Sequence, residues 1–284
     1  MILVEEKGER GPQLVVIRQT DHAFLAGFFA REWGNEQFSK PEPNASFCLA
    51  AAEHDNGWSE WELQPELDPK TRLPYSFMSL STATHIALYQ KGIERLVRAD
   101  HYAGLLACLH ASGLYDKAKA TLPGFSAKYV KAEESRLAGD FVQQLRLRQL
   151  RLKVELRAKS ATKSFMVDPL IEANATRLEA IDRLSLHICM NAEQEALIEG
   201  VPVNDQGEEA DLELRAESGG VVAVTPYPFR RDPLCFSIMA RRVPRKIYAS
   251  DLEFQNTLAA AQYFPMKFTM RASRAGALSR VAGF

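Results

Sequence analysis

Ala52-Glu53-His54-Asp55-Asn56-Gly57-Trp58 closes a helix expected from about Ala45 to His54 and sets a histidine beside an aspartate where that helix ends. Neighbouring side chains on a regular helix diverge by about 100°. At an unwinding terminus, with Asn56-Gly57 as the stop signal, they can converge on one point. Imidazole and carboxylate are the usual ligands of catalytic divalent metals. The stretch therefore carries two expectations together: a helical body, and a metal site at a helix end.

Working outward, every histidine lies in the first two-thirds of the 284 residues: His22, His54, His85, His101, His110 and His187. His22 follows Asp21, read as the N-cap of a helix running to about Trp33. His85 and His110 fall on two successive helices, about Ser81 to Arg98 and Asp100 to Ser112, which the tight join makes antiparallel neighbours. Asp182 lies in Leu178-Glu-Ala-Ile-Asp-Arg-Leu-Ser-Leu186, on a helix expected from about Pro169 to Met190. Apolar residues flank it at helical spacing, and an unpaired charge turned inward there is very costly. His101 reads as structural and His187 as a packing residue.

Leu14-Val-Val-Ile-Arg18 is compact and β-branched, an early strand. Trp58 to Leu80 carries Pro65, Pro69 and Pro74 and reads as an ordered loop, uncommon at this length unless functional. Ser126 to Lys159 holds one glycine, Gly139, and no proline; its length and strong helix formers favour helix over the local strand-like alternation of Leu145-Arg-Leu-Arg. Beyond Met190 the character changes. Leu212–Ala216, Val221–Thr225, Cys235–Ala240 and Met266–Arg271 are short strand-like runs, interrupted by one helix at about Ser250 to Gln262. The fold class expected is mainly α, with a C-terminal antiparallel β region that the early strand can join, α+β overall. The division expected is a helical metal-binding domain over residues 1–195 and a β-rich region over 196–284.

Composition narrows the function classes. A formal charge of -1 gives no global attraction to nucleic acid or anionic membrane; nucleic acid is the weaker expectation, no membrane is expected, and a homodimer stays open. From Lys128 to Lys163, ten Lys/Arg against four Asp/Glu read as a solvated helix face or an anion-guiding surface. Cys48, Cys108, Cys189 and Cys235 are widely spaced and form no Cys-x-x-Cys pair, so neither disulfides nor a thiolate zinc site is expected. No secretory leader or membrane-spanning run is apparent, and a cytoplasmic protein is expected.

The order of a histidine, a His-Asp doublet ending a helix, two intervening histidines and a final aspartate resembles the HD-domain superfamily of metal-dependent proteins. The Asp182-Arg183-Leu184 context is similar to the surroundings of that superfamily's last ligand. Glu53-His-Asp-Asn-Gly-Trp58, Leu73-Pro-Tyr-Ser-Phe77 and Leu109-His-Ala-Ser-Gly-Leu-Tyr115 also resemble an uncharacterised bacterial family within that fold. The resemblance covers about Gln19 to Met190. It implies an HD-like helical bundle in which His22, His54, Asp55 and Asp182 bind one metal, and Asp55 bridges to a second held by His85 and His110. One departure stands out. The superfamily's hydrolytic members follow the doublet with a glycine and a lysine, whereas Gly57-Trp58 stand here.

The activity expected is a metal-dependent, binuclear phosphohydrolase acting on a nucleotide or small phosphoester, with two divalent ions (iron, manganese or zinc). Asp55 has the catalytic bridging role. Arg183 and Lys91 are the expected contacts to a small anionic substrate, and Trp58 and Tyr75 the walls of a lid. The alternative is a mixed-valent di-iron oxygenase on a small organic substrate, and a third reading is a non-catalytic scaffold that binds a metabolite.

Overall fold

The computed structural model describes residues 1–9, 11–115 and 134–273. Among them are β1 (Ile2–Gly8), β2 (Gly11–Ile17), α1 (Gln19–Glu32), α2 (Asn44–Glu53), α3 (Thr82–Ala99), α4 (His101–Tyr115), α5 (Ser135–Ala158) and α6 (Asp168–Asn191). There follow β3 (Ala196–Pro202), β4 (Glu209–Glu217), β5 (Val221–Thr225), β6 (Leu234–Pro244), α7 (Asp251–Ala260) and β7 (Tyr263–Ala272). The fold is α+β, as expected, but the β part is one seven-stranded sheet in the order β1-β2-β6-β7-β5-β4-β3.

The early strand joins this sheet: β2 pairs antiparallel with β6, Gln13 opposite Pro244. β1 extends it on the outer side, Ile2 opposite Ile17. The expectation of a purely antiparallel region needs correction at one join, because β5 runs parallel to β7, Val221 opposite Thr269. β2 also explains why Leu14-Val-Val-Ile17 lacks a polar–apolar alternation. Val15 and Ile17 enter the main core, while Leu14 and Val16 enter a smaller core with Val243, Tyr248, Phe254 and Leu258. With both faces covered, a strand reads as a continuous apolar run.

The helix boundaries follow local chemistry. Ser81 Oγ accepts from Thr84 N at the start of α3, and Ser250 Oγ from Glu253 N at the start of α7. Asp100 Oδ1 accepts from Tyr102 N (2.8 Å) and Ala103 N (2.9 Å), capping α4. Asp21 is not the cap of α1. The helix starts earlier, at Gln19, and Asp21 in its first turn takes both Arg18 Nε (2.9 Å) and Nη2 (2.8 Å). The alternating Leu-Arg stretch lies on α5, which buries Leu145, Leu152 and Leu156 and leaves Leu147 and Leu150 exposed. Residues 126–133 of the expected long helix lie outside the described residues.

α1, α2, α4 and α6 pack together around the middle of α6, with the sheet against α1 and α6. Helix ends and helix faces from these elements converge there. All four cysteines are free thiols. No helix among the described residues is long and apolar enough to cross a membrane.

Candidate metal centre

The site is built where α2 ends. Glu53 is the last helical residue and His54 the C-cap, with φ -58° and ψ -29°; at Asp55 the backbone turns to φ -108°, ψ 19°. That change of direction brings the adjacent side chains to one point. His54 Nε2 lies 3.6 Å from Asp55 Oδ2. α1 contributes His22, whose Nε2 is 3.0 Å from Asp55 Oδ2 and 3.6 Å from Asp182 Oδ1. From α6, Asp182 Oδ1 comes within 3.2 Å of His54 Nε2, outside the ring N–H direction a hydrogen bond requires. One ligand atom from each of His22, His54 and Asp182 fits within 4.8 Å of the others. Bonds of about 2.0–2.2 Å to a shared ion place neighbouring nitrogen and oxygen ligands roughly 3–3.6 Å apart.

The ring orientations are fixed from behind. Ser185 Oγ donates to Asp182 O (2.9 Å), so toward His22 Nδ1, also at 2.9 Å, it accepts. His54 Nδ1 donates to Ala51 O at 2.9 Å. Both imidazoles therefore carry their Nδ1 proton away from the cluster, and in neutral form each turns an Nε2 lone pair toward the carboxylates. Such backing contacts are the usual companions of metal-bound histidines. Gln19 Nε2 donates to Asp55 Oδ2 at 3.2 Å, while its backbone N–H is held by Glu62 Oε1 at 2.6 Å.

His110 on α4 stands next to this set, with Nε2 3.8 Å from Asp182 Oδ2 and its ring 5.2 Å from that of His54. Among the described residues neither of its ring nitrogens has a hydrogen-bond partner, and neither does Asp55 Oδ1. His85 on α3 is buried a little farther out; its Nδ1 meets Tyr115 Oη, and its ring packs against Trp58 (5.5 Å) and Tyr89 (4.9 Å). All six expected ligands are buried, from 1% exposure at His22 to 6% at Asp182.

Electrostatics divides them. For His54, burial pulls the pKa down, but Asp55 and Asp182 more than offset it and raise it from 6.5 to about 9. For Asp55 and Asp182, burial works against ionisation, yet the neighbouring imidazoles win and both carboxyls are held below 3.8. His85 and His110 go the other way, lowered to about 4 chiefly by burial. They are neutral at pH 7 and need lose no proton to act as ligands.

Two expected substrate contacts are engaged elsewhere. Lys91 Nζ pairs with Glu60 at 3.0 Å on the surface, and Arg183 Nη2 reaches Leu197 O on β3 at 3.4 Å. Tyr75 sits half-buried in the loop near Glu66 and Asp68. Trp58 is 1% exposed against His85, part of the site's wall. His101, with Lys159 Nζ at 2.9 Å, and His187 stand apart from the cluster. The sequence reading missed Gln19, Ser185 and Tyr115. The signal available for Ser185 was its helical spacing, three residues after Asp182.

A family model described as "Protein of unknown function (DUF3891)" matches residues 1–245. The chain belongs to that family. No curated protein and no solved structure matches it. The HD-domain resemblance is corrected by this membership and by the fold: a large curled seven-stranded sheet, with β1 and β3 at its edges, stands beside the helices, which is not the HD-like bundle the resemblance implied.

Proposed function

We propose that this cluster binds divalent metal and that the protein is a metal-dependent phosphohydrolase acting on a nucleotide or small phosphoester. The observation that carries the reading is the pair of imidazoles backed by Ser185 and Ala51, whose Nε2 atoms face two buried carboxylates. In the metal-free protein protons hold these contacts together: His54 is cationic, and His22 Nε2 lies at hydrogen-bond distance, 3.0 Å, from Asp55 Oδ2. A divalent ion would take the place of those protons on neutral Nε2 atoms. His22, His54, Asp55 and Asp182 would hold the first ion. Asp55 Oδ1 and His110, both without a partner among the described residues, with His85 behind them, would hold a second.

Bound divalent ions supply a more acidic water and positive charge for the phosphoryl oxygens. The residues do the rest. Asp55, held by Gln19, would serve both ion sites. Trp58 and Tyr89 cover the His85 side and limit water. Lys91 and Arg183 are engaged elsewhere, so bound ions would supply the positive charge that a phosphate substrate needs.

A di-iron oxygenase acting on a small organic substrate is the second reading, favoured by the ring of Trp58, Tyr89 and Tyr115 around His85. The test is metal quantification of anaerobically purified protein, followed by activity assays. Zinc- or manganese-dependent phosphate release supports the hydrolase. Two equivalents of iron with substrate-dependent oxygen uptake support the oxygenase. His54→Ala should lose the metal and His187→Ala retain it; equal retention defeats both readings.

A further inference from the structure

We propose that Arg177 anchors a small oxyanion ligand, a carboxylate or a phosphate, on the Nε/Nη2 edge of its guanidinium, at a site separate from the metal cluster. Arg177 lies on α6 and is 1% exposed. Its Nη1 donates to Asn174 Oδ1 at 3.1 Å. Asn174 in turn spends its Nδ2 on Glu42 O (2.7 Å) and Tyr102 Oη (2.9 Å), so it is fixed from both sides. Nε and Nη2 of Arg177 have no partner among the described residues.

Four other arginines give that edge to a carboxylate, while Arg72 spends it on the main-chain carbonyls of Tyr248 and Ala249. Arg18 places Nε and Nη2 on Asp21, and Arg230 and Arg231 place theirs on Glu32. Arg271 uses the same pair on Glu217. Two parallel N–H donors match two oxygens of one carboxylate or phosphate. At Arg177 the same fork is buried without such a partner. Arginine keeps its charge under these conditions, and a desolvated charge with no counter-ion is strongly disfavoured. Burial lowers its pKa from 12.5, the direction of that penalty.

The surroundings leave few internal candidates. Asp205, in the turn between β3 and β4, acts on Arg177 through space without forming an ion pair. That turn is fastened to the loop before α2 by Ser39 N donating to Val203 O at 2.7 Å. Arg177 thus lies where α6, the segment around Glu42 and the 203–205 turn meet. Five residues before Asp182, it is about 7.5 Å along the helix and roughly 140° around it from the metal ligand. Arg177 therefore stands on a different face of α6 from the metal ligand.

The test is thermal unfolding of the full chain with inorganic phosphate, acetate or chloride at matched ionic strength, for wild type and Arg177→Met. A saturable rise in Tm with phosphate or acetate, absent with chloride and abolished in Arg177→Met, is the expected result. Response to phosphate alone or to acetate alone assigns the source. Should Arg177→Met fail to fold, Asn174→Asp sets a carboxylate against Nη1 and should remove the anion dependence. The proposal is overturned if neither oxyanion raises the wild-type Tm, or if the rise persists in the variants. It is also overturned if Asp205→Asn lowers the basal Tm as much as Arg177→Met, since Asp205 would then be the counter-ion.

Discussion

Replacing Ser185 by alanine removes one oxygen atom and should weaken metal binding without touching a ligand. Ser185 is fully buried, and its hydroxyl proton is committed to Asp182 O at 2.9 Å. With that proton on Asp182 O, the oxygen accepts from His22 Nδ1, also at 2.9 Å. In Ser185→Ala that N–H, on a side chain 1% exposed, has no acceptor. The ring either keeps an unsatisfied buried donor, at about 1–3 kcal/mol, or moves its proton to Nε2 and withdraws the lone pair facing Asp55 and Asp182. Both routes weaken the first ion site. Losses at such backing residues run about 10–100-fold in metal affinity, or roughly 1.4–2.7 kcal/mol. Chelator competition against a metal-sensitive dye measures this directly, with circular dichroism to verify that the variant folds. Affinity equal to wild type in a folded Ser185→Ala protein would refute the tautomer argument and remove the main support for the metal reading.

Other consequences follow from the same geometry. His54 titrates near 9 in the metal-free protein, so a metal ion must displace its proton below that pH. Affinity should climb by up to about tenfold per pH unit toward pH 9 and then level, with calorimetry in buffers of different ionisation enthalpy counting the protons released; a flat profile from pH 6 to 9 contradicts it. Gly57→Ala drives a Cβ into the Leu88 carbonyl and to 3.0 Å from Gly92 N, so α3 and the doublet must separate. An overpacking loss of about 1–3 kcal/mol, read as a lower denaturant midpoint, is expected together with weaker metal binding. Glu32, 4% exposed, is held below its usual 4.5 by Arg230 and then Arg231. Because its folded pKa is depressed, its stabilisation is complete above pH 4.5 and is lost as pH falls through the folded value. The Tm gap between wild type and Glu32→Gln should therefore be wide at pH 7 and close in acid; a gap independent of pH rejects the charged pairing.

The cluster was legible because its chemistry is carried by residue types that are rarely buried without a partner. His54-Asp55 lies at a helix end that Asn56-Gly57 marks, and Asp182 sits among apolar neighbours at helical spacing. The backing groups were not legible in the same way. Ala51 O is a main-chain atom and carries no residue signature, and Gln19 and Ser185 are ordinary helix residues until the helices are packed. The sheet was read in pieces for a related reason. Four of the five strands after Met190 announce themselves by composition and β3 (Ala196–Pro202) was missed, while the parallel β5–β7 pairing and the attachment of β1 and β2 across more than two hundred residues are long-range choices. Nothing local encodes them. The HD-domain resemblance failed at the same level: ordered ligands can be matched along a chain, whereas the sheet that packs against α1 and α6 lies outside the matched stretch.

That packing bears on how the metal cluster is held. His22 lies on α1 and Asp182 and Ser185 on α6, the two helices that rest against the sheet, while His54 and Asp55 lie at the end of α2. At the far end of α1, Glu32 takes Arg230 and Arg231 from the segment between β5 and β6. The sheet therefore fixes the spacing of the helices that supply opposite sides of the cluster. A ligand set with nitrogen–oxygen separations of 3.0–3.6 Å tolerates little drift, because ion–ligand bonds are set within about 0.2 Å. Loosening α1 at Glu32 should thus lower metal affinity as well as stability, although no atom of Glu32 belongs to the site. A Glu32→Gln protein that unfolds earlier yet binds metal as tightly as wild type would show that the helices hold the ligands without the sheet.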